Sequence, residues 1–220
     1  MNTQIINLIK ESFFKILFSG VVTTIPLTII SFSIAIIIGT FIALIQFTNI
    51  KILKFIARFY VWVVRGTPLL VQLFIVFYGL SRIGFLIEPF PAAVLVFSLN
   101  EGAYSSETIR ASLQAVPKGQ LEAAYCVGMT FPQAIIRIIL PQAIRIAFPP
   151  LSNSIIAMIK DTSLVSNITV AEMFMVTQRI VARTYEPFVL YLEVGFIYLI
   201  FSTVLTILQS KLEKKLPVYK

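Results

Sequence analysis

Long apolar runs broken by short polar clusters dominate the chain. Residues 16–50 lie between Lys15 and Lys51 with no charged side chain, and residues 187–210 hold only Glu193. About 20 apolar residues cross the hydrocarbon core of a bilayer as a helix, so both stretches are long enough. The pattern predicts five membrane-spanning helices, at about 26–47, 55–80, 90–113, 140–159 and 187–208. Residues 13–25 read as an amphipathic lead-in, with Pro26 in the first turn of the first span, where its missing N–H costs nothing. Arg65-Gly66-Thr67-Pro68 interrupts the second span near its cytoplasmic end. Pro117 ends the third helical segment, and Pro141, Pro149 and Pro150 bend the fourth. The expected fold class is all-α, a polytopic membrane protein. Residues 1–19 form an N-terminal extracytoplasmic or interfacial segment, 20–209 the transmembrane domain, and 210–220 a basic cytoplasmic tail.

Composition agrees. Of 220 residues 58% are hydrophobic and only 13% charged, where about 25% charge is usual for a soluble domain. The net charge of +8 is not the footprint of nucleic-acid binding, because the basic residues flank the apolar runs and orient them. One side collects Lys51, Lys54, Arg58, Arg65, Arg110, Lys118, Arg137, Arg145, Lys211, Lys214, Lys215 and Lys220. The other holds Lys10, Lys15, Arg82, Lys160, Arg179 and Arg183. This two-to-one bias predicts a cytoplasmic C-terminus and a cytoplasmic 115–140 loop, and five spans then leave the N-terminus outside. With one cysteine, Cys126, and no histidine, an internal disulfide, histidine metal sites and histidine-based catalysis are excluded. The N-terminal run lacks a cleavage pattern and reads as a retained signal anchor.

The most unusual segment is a polar island, 117–141, set between apolar blocks. Lys118-Gly119-Gln120-Leu121-Glu122-Ala123-Ala124 reads as a short helix, and Gly128 permits a reversal with positive φ. Thr130 is placed to cap a second short helix with Pro132 among its first residues. Such a compact knob either seats in another protein or is an ordinary interfacial connector. No phosphate-binding loop is present: Gly79 and Gly84 have the spacing, but Phe85 stands where lysine is required. Any ATP hydrolysis that the chain depends on occurs on another polypeptide, and no cofactor is expected. No internal repeat is visible either, so a midplane site built from two halves needs a second subunit about a twofold axis.

Several polar residues fall inside apolar segments, where ionisable groups are expensive and rarely face lipid. Asn100, Glu101 and Tyr104 share one helical face near mid-membrane. They either line a polar path through the bundle, with Glu101 suited to a cationic group, or make structural hydrogen bonds. Glu107 and Arg110, three residues apart, read as a local ion pair. Arg65-Gly66-Thr67-Pro68 is a packing kink or a gate hinge, with Arg65 available to a carboxylate or a lipid phosphate. Asn153 meets substrate or another helix. Lys160 and Asp161 form a lid ion pair or contact another protein. Glu172, Arg179, Arg183 and Glu186 are expected on the solvated face of an extracytoplasmic helix. Trp62 and the many phenylalanines read as lipid-facing anchors.

The spacing Glu122-Ala123-Ala124-x3-Gly128-x9-Ile138-x-Leu140-Pro141 resembles, at every signature position, the cytoplasmic loop of bacterial ABC importer permeases. The resemblance runs from about residue 20 to 212. Arg65-Gly66-Thr67-Pro68, Gly102-Ala103-Tyr104, Glu107, Arg110, Val116-Pro117-Lys118-Gly119-Gln120 and Lys160-Asp161-Thr162-Ser163-Leu164 carry it toward the polar amino acid permeases. The stretches 98–105, 126–130 and 209–214 are most similar to cystine permeases. The resemblance implies a type I importer fold with coupling helices at 117–141. There Gly119, Glu122, Ala123, Ala124, Gly128, Ile138, Leu140 and Pro141 meet an ATPase subunit. It further implies an extracytoplasmic amino acid-binding protein, a second permease subunit forming a homodimer, and a polar amino acid, L-cystine first and glutamine or arginine next, as cargo. A self-contained secondary transporter would need a repeat or an ion relay. An intramembrane enzyme would need a catalytic constellation, and none is apparent.

Overall fold

The computed structural model describes residues 3–48 and 50–215, and among them every regular element is helical. Lys220, the last of the tail lysines counted above, lies outside the described residues. The elements, in chain order, are α1 (Thr3–Phe47), α2 (Lys51–Gly66), α3 (Leu69–Arg82), α4 (Pro89–Ala115), α5 (Lys118–Cys126), α6 (Phe131–Ile168), α7 (Met173–Thr184) and α8 (Pro187–Glu213).

The first span does not begin at Pro26. Helix α1 runs unbroken for 45 residues, so the expected lead-in at 13–25 is part of the same rod. A π-helical turn at Gly20–Thr24 lies directly before Ile25-Pro26. Widening the helix there shifts the carbonyl that the proline ring would strike and removes the demand for its missing N–H. The same device recurs in α6, where a π turn at Ile135–Ile139 precedes Leu140-Pro141. Consequently the second short helix expected after Thr130 is not separate. Phe131 opens a helix that continues to Ile168 and includes the fourth span.

Helices α2 and α3 meet at 105° across Thr67-Pro68. Pro68 supplies no donor and holds extended backbone (φ −64°, ψ 138°), which ends α2 sharply. The interruption therefore divides this pair centrally rather than near one end. By length and composition three helices, α1, α6 and α8, can cross a membrane, and the bent α2–α3 pair makes a fourth. Helix α4, at 27 residues, is long enough but too polar to qualify by the same measure.

That polarity has a packing reason. Helix α4 is the hub, touching α1, α2, α3 and α6, so its polar side chains meet protein rather than lipid. It crosses α1 at a small-residue seam: a Cβ on Gly39 would sit 2.9 Å from Ser105 Cβ and 3.1 Å from the Gly102 carbonyl oxygen. Buried Ser31, Ala35, Ala43, Ala103 and Ser106 extend the seam. Close backbone approach of this kind gives dispersion contacts in a setting where lipid removes the hydrophobic drive between helices. Leu27, Leu73, Phe97, Met158 and Val165 form one core beside it. Ile16, Met173, Val194 and Ile197 tie the first half of α1 to α7 and α8.

Candidate functional site

Two neighbouring polar networks line α4. In the first, Asn100 donates to Gln72 Oε1 (3.0 Å). The Gln72 amide in turn donates to Val64 O (2.7 Å), Thr67 O (3.1 Å) and Thr67 Oγ1 (2.8 Å). Gln72 thus satisfies carbonyls that the α2–α3 break leaves without helical partners, and fastens the bend to α4. Sequence reasoning missed it; a lone amide four residues after Pro68 in an apolar run was the available signal. Glu101 turns toward α6: it accepts from Ser105 (2.9 Å) and comes within hydrogen-bonding reach of Ser154. Tyr60, also missed, donates to the Leu99 carbonyl (2.5 Å) and pins α2 to α4.

The second network centres on Glu107. Arg110 donates to both carboxylate oxygens (2.7 and 3.3 Å), Gln46 of α1 donates to Oε1 (3.0 Å), and Arg65 Nη1 stands 4.0 Å away. Arg110 also reaches Gln114 (2.8 Å). The Arg65 guanidinium lies 5.1 Å from the centre of the Tyr104 ring, within cation–π range. The structure therefore gathers Arg65, Tyr104 and Glu107 at one end of the stripe, and Asn100, Gln72 and Thr67 around the helix break. Gly66 and Pro68, beside Thr67, are exposed.

Asn153 accepts from Gln209 of α8 (3.1 Å), a helix–helix contact. Lys160 and Asp161, both exposed at the far end of α6, form no ion pair within 4.0 Å among the described residues. Glu193 accepts from Ser12 (2.6 Å) and ties α8 to α1.

Glu172 corrects an expectation. It is fully buried rather than on a solvated face. Its carboxyl caps α7, accepting from the Phe174 and Met175 amides (2.8 and 2.7 Å) and from the Tyr198 hydroxyl (2.7 Å). Burial pushes this carboxyl above its ordinary range, against the pull of those donors.

The polar island folds into α5, a reversal and the first turns of α6. Val116 and Pro117 part α4 from α5, and Gly128 adopts φ +80° in the reversal. Gln133 Oε1 accepts from the Thr130 N–H (3.0 Å), half of a capping box. Glu122 and Ala123 are exposed while Ala124 is buried. Ile138 packs beside the small core of Val116, Ile139 and Ala143. Leu140 is exposed, Pro141 half-buried, and Gly119 open on every side. Glu122 has no side-chain partner among the described residues.

Comparison with known proteins agrees with this architecture. Residues 35–217 match the family profile of the binding-protein-dependent transport system inner membrane component. The chain is 48% identical over 214 residues to the L-cystine transport system permease protein TcyB of Bacillus subtilis (strain 168), covering 97% of this chain and 92% of that protein. It is 39% identical to the nopaline transport system permease protein NocM of Agrobacterium fabrum, covering 91% and 87% respectively. A crystal structure of an amino acid ABC transporter with histidines superposes with a TM-score of 0.90 at 37% identity, over 98% of this chain and 100% of that one. An inward-facing MetNI methionine ABC transporter gives 0.71 at 15% identity, over 99% of this chain and 100% of that one, a likeness of fold alone. The chain belongs to the inner membrane components of binding-protein-dependent transport systems: it is a multi-pass permease of the ABC importers, which work with a separate ATPase and a solute-binding protein, and not an enzyme.

Proposed function

We propose that this permease carries a polar amino acid, L-cystine first, and that it does so as a homodimer by alternating access. Five crossings form the bundle: α1, the α2–α3 pair, α4, α6 and α8, with the N-terminus outside and the C-terminus and α5 in the cytoplasm. Glu122, exposed beside Ala123 on α5 and without a side-chain partner among the described residues, carries the reading, because such a carboxylate is available to another protein. Gly119, Glu122, Ala123, Ala124, Gly128, Ile138, Leu140 and Pro141 are assigned to ATPase docking. Asn100, Glu101, Tyr104 and Asn153, joined by Gln72, are assigned to the substrate path. Arg65, Gly66, Thr67 and Pro68 form a hinge, and Lys160 and Asp161 an outer rim that meets the binding protein.

Cystine as cargo is supported by the 48% identity to a protein named for it. A competing substrate, arginine, is favoured by the 36% identity to the arginine transport system permease protein ArgU of Corynebacterium glutamicum. Co-reconstitution with the cognate ATPase and binding protein separates them. Labelled L-cystine uptake is expected to need ATP and to resist a large excess of L-arginine or L-glutamine. Displacement by either would transfer the assignment to that amino acid.

A further inference from the structure

Helix α2 presents two adjoining stripes. Lys51, Lys54, Arg58 and Arg65 recur at helical spacing along one edge, and Phe55, Phe59 and Trp62 along the next. The three rings are 70%, 53% and 72% exposed and form a continuous rib, with centroids 6.4 Å apart for Phe55–Phe59 and 5.9 Å for Phe59–Trp62. Behind the basic edge, where α2 meets the ends of α1 and α4, lies a cavity of about 570 Å³. Gln46, Lys54, Arg58, Trp62, Arg110 and Gln114 line it.

Charge in this cavity does not balance. Its one carboxylate, Glu107, is held by Arg110 and Gln46 and flanked by Arg65. Lys54 and Arg58 have no side-chain hydrogen bond or ion pair to any described residue, so two positive charges stay unneutralised. A cavity of this size, with cations and amide side chains beside Phe47, Val61 and Trp62, matches a phosphate diester with its headgroup. The aromatic rib beside it offers an apolar surface for the attached acyl chains, as amphipathic helices at a bilayer interface do.

We propose that this cavity is a binding site for an anionic phospholipid. The headgroup phosphate is held by Lys54 and Arg58, with Gln46 and Gln114 as polar neighbours, and the acyl chains run along Phe55, Phe59 and Trp62. The site depends neither on which solute the permease carries nor on which end faces the cytoplasm. A bound lipid here buttresses the α2 arm of the 105° bend and so links membrane composition to the setting of that bend.

Trp62 is the only tryptophan in the chain and lines the site, so its fluorescence reports occupancy. The full chain is reconstituted in phosphatidylcholine vesicles containing either brominated phosphatidylglycerol or brominated phosphatidylcholine in both leaflets. Each unpaired cation at an anionic surface favours binding by about fivefold before screening. An apparent preference on the order of tenfold for the brominated anionic lipid is therefore expected. The preference is lost in Lys54→Gln/Arg58→Gln. It is retained in the charge-conserving Lys54→Arg/Arg58→Lys, and in Lys214→Gln/Lys215→Gln, which removes two charges elsewhere. Equal quenching by both lipids, loss in the charge-conserving pair, or an equal loss in the tail pair would overturn the proposal. Inorganic phosphate is expected to act no more strongly than sodium chloride of the same ionic strength; selective abolition by phosphate would assign the cavity to a free anion instead.

Discussion

Glu107 and Glu122 sit on consecutive helices in opposite circumstances. Glu107, inside the bundle, is engaged from three elements by Arg110, Gln46 and Arg65. Glu122, on α5, is exposed and has no side-chain partner among the described residues. An interior carboxylate must be satisfied where it stands, since an unpaired buried charge is costly. Its chemistry is therefore mixed with the stability of the fold. A carboxylate in solvent has no such duty, so a change there tests docking with little structural side effect.

The largest expected effect exploits that freedom. Glu122→Lys should lower ATP-coupled uptake by at least about tenfold, equivalent to 1.4 kcal/mol of docking free energy. Membrane insertion and melting temperature should stay at wild-type values, as for most exposed substitutions. Unchanged coupled uptake would end the contrast. The interior should behave the other way. Gly39→Val places a branched side chain where a single Cβ already meets Ser105 Cβ at 2.9 Å and the Ser106 nitrogen at 3.0 Å. Overpacking of this kind costs about 1–3 kcal/mol, read as a lower melting temperature in detergent. A variant as stable as wild type would mean that the α1–α4 seam is not tight.

Glu172 gives the smallest effect and sharpens the comparison, being buried yet held by neutral donors alone. Burial raises its affinity for a proton above the ordinary carboxyl value of 4.5. Its stabilising contribution is thus complete below that value and falls as pH rises through the raised one. Melting temperature measured from acid to neutral pH should decline less in Glu172→Gln than in wild type. Parallel curves would show that the capping donors cancel the cost of burial.

Hydropathy alone located the apolar runs that became α1, α6 and α8, because a span presents lipid-facing side chains over a fixed thickness. Helix α4, too polar by the same measure, packs among four helices. The Glu107–Arg110 pair was equally legible, since i,i+3 neighbours on a helix meet whatever surrounds them. Features that depend on distant partners were not. Glu172 looked solvated until Tyr198, brought in by α8, covered it. Gln72 declared only that an amide lay in an apolar run; its partners come from α2, the break and α4. Pro26 and Pro141 were read locally, as a helix start and a bend, whereas a π turn upstream of each lets the helix run on.

That continuity has a mechanical consequence for α6. Its 38 residues make a rod of about 57 Å at 1.5 Å per residue. Pro149 and Pro150, adjacent interior residues without a donor for the backbone ladder, fall at its midpoint. The rod is thus a balance beam with arms of about 28 Å, softest at the fulcrum. A tilt of about 5° there swings both tips by roughly 2.5 Å in opposite directions. One tip carries the turn that follows α5, and Lys160 and Asp161 lie about 16 Å along the other arm, so a load on either side is weighed at both.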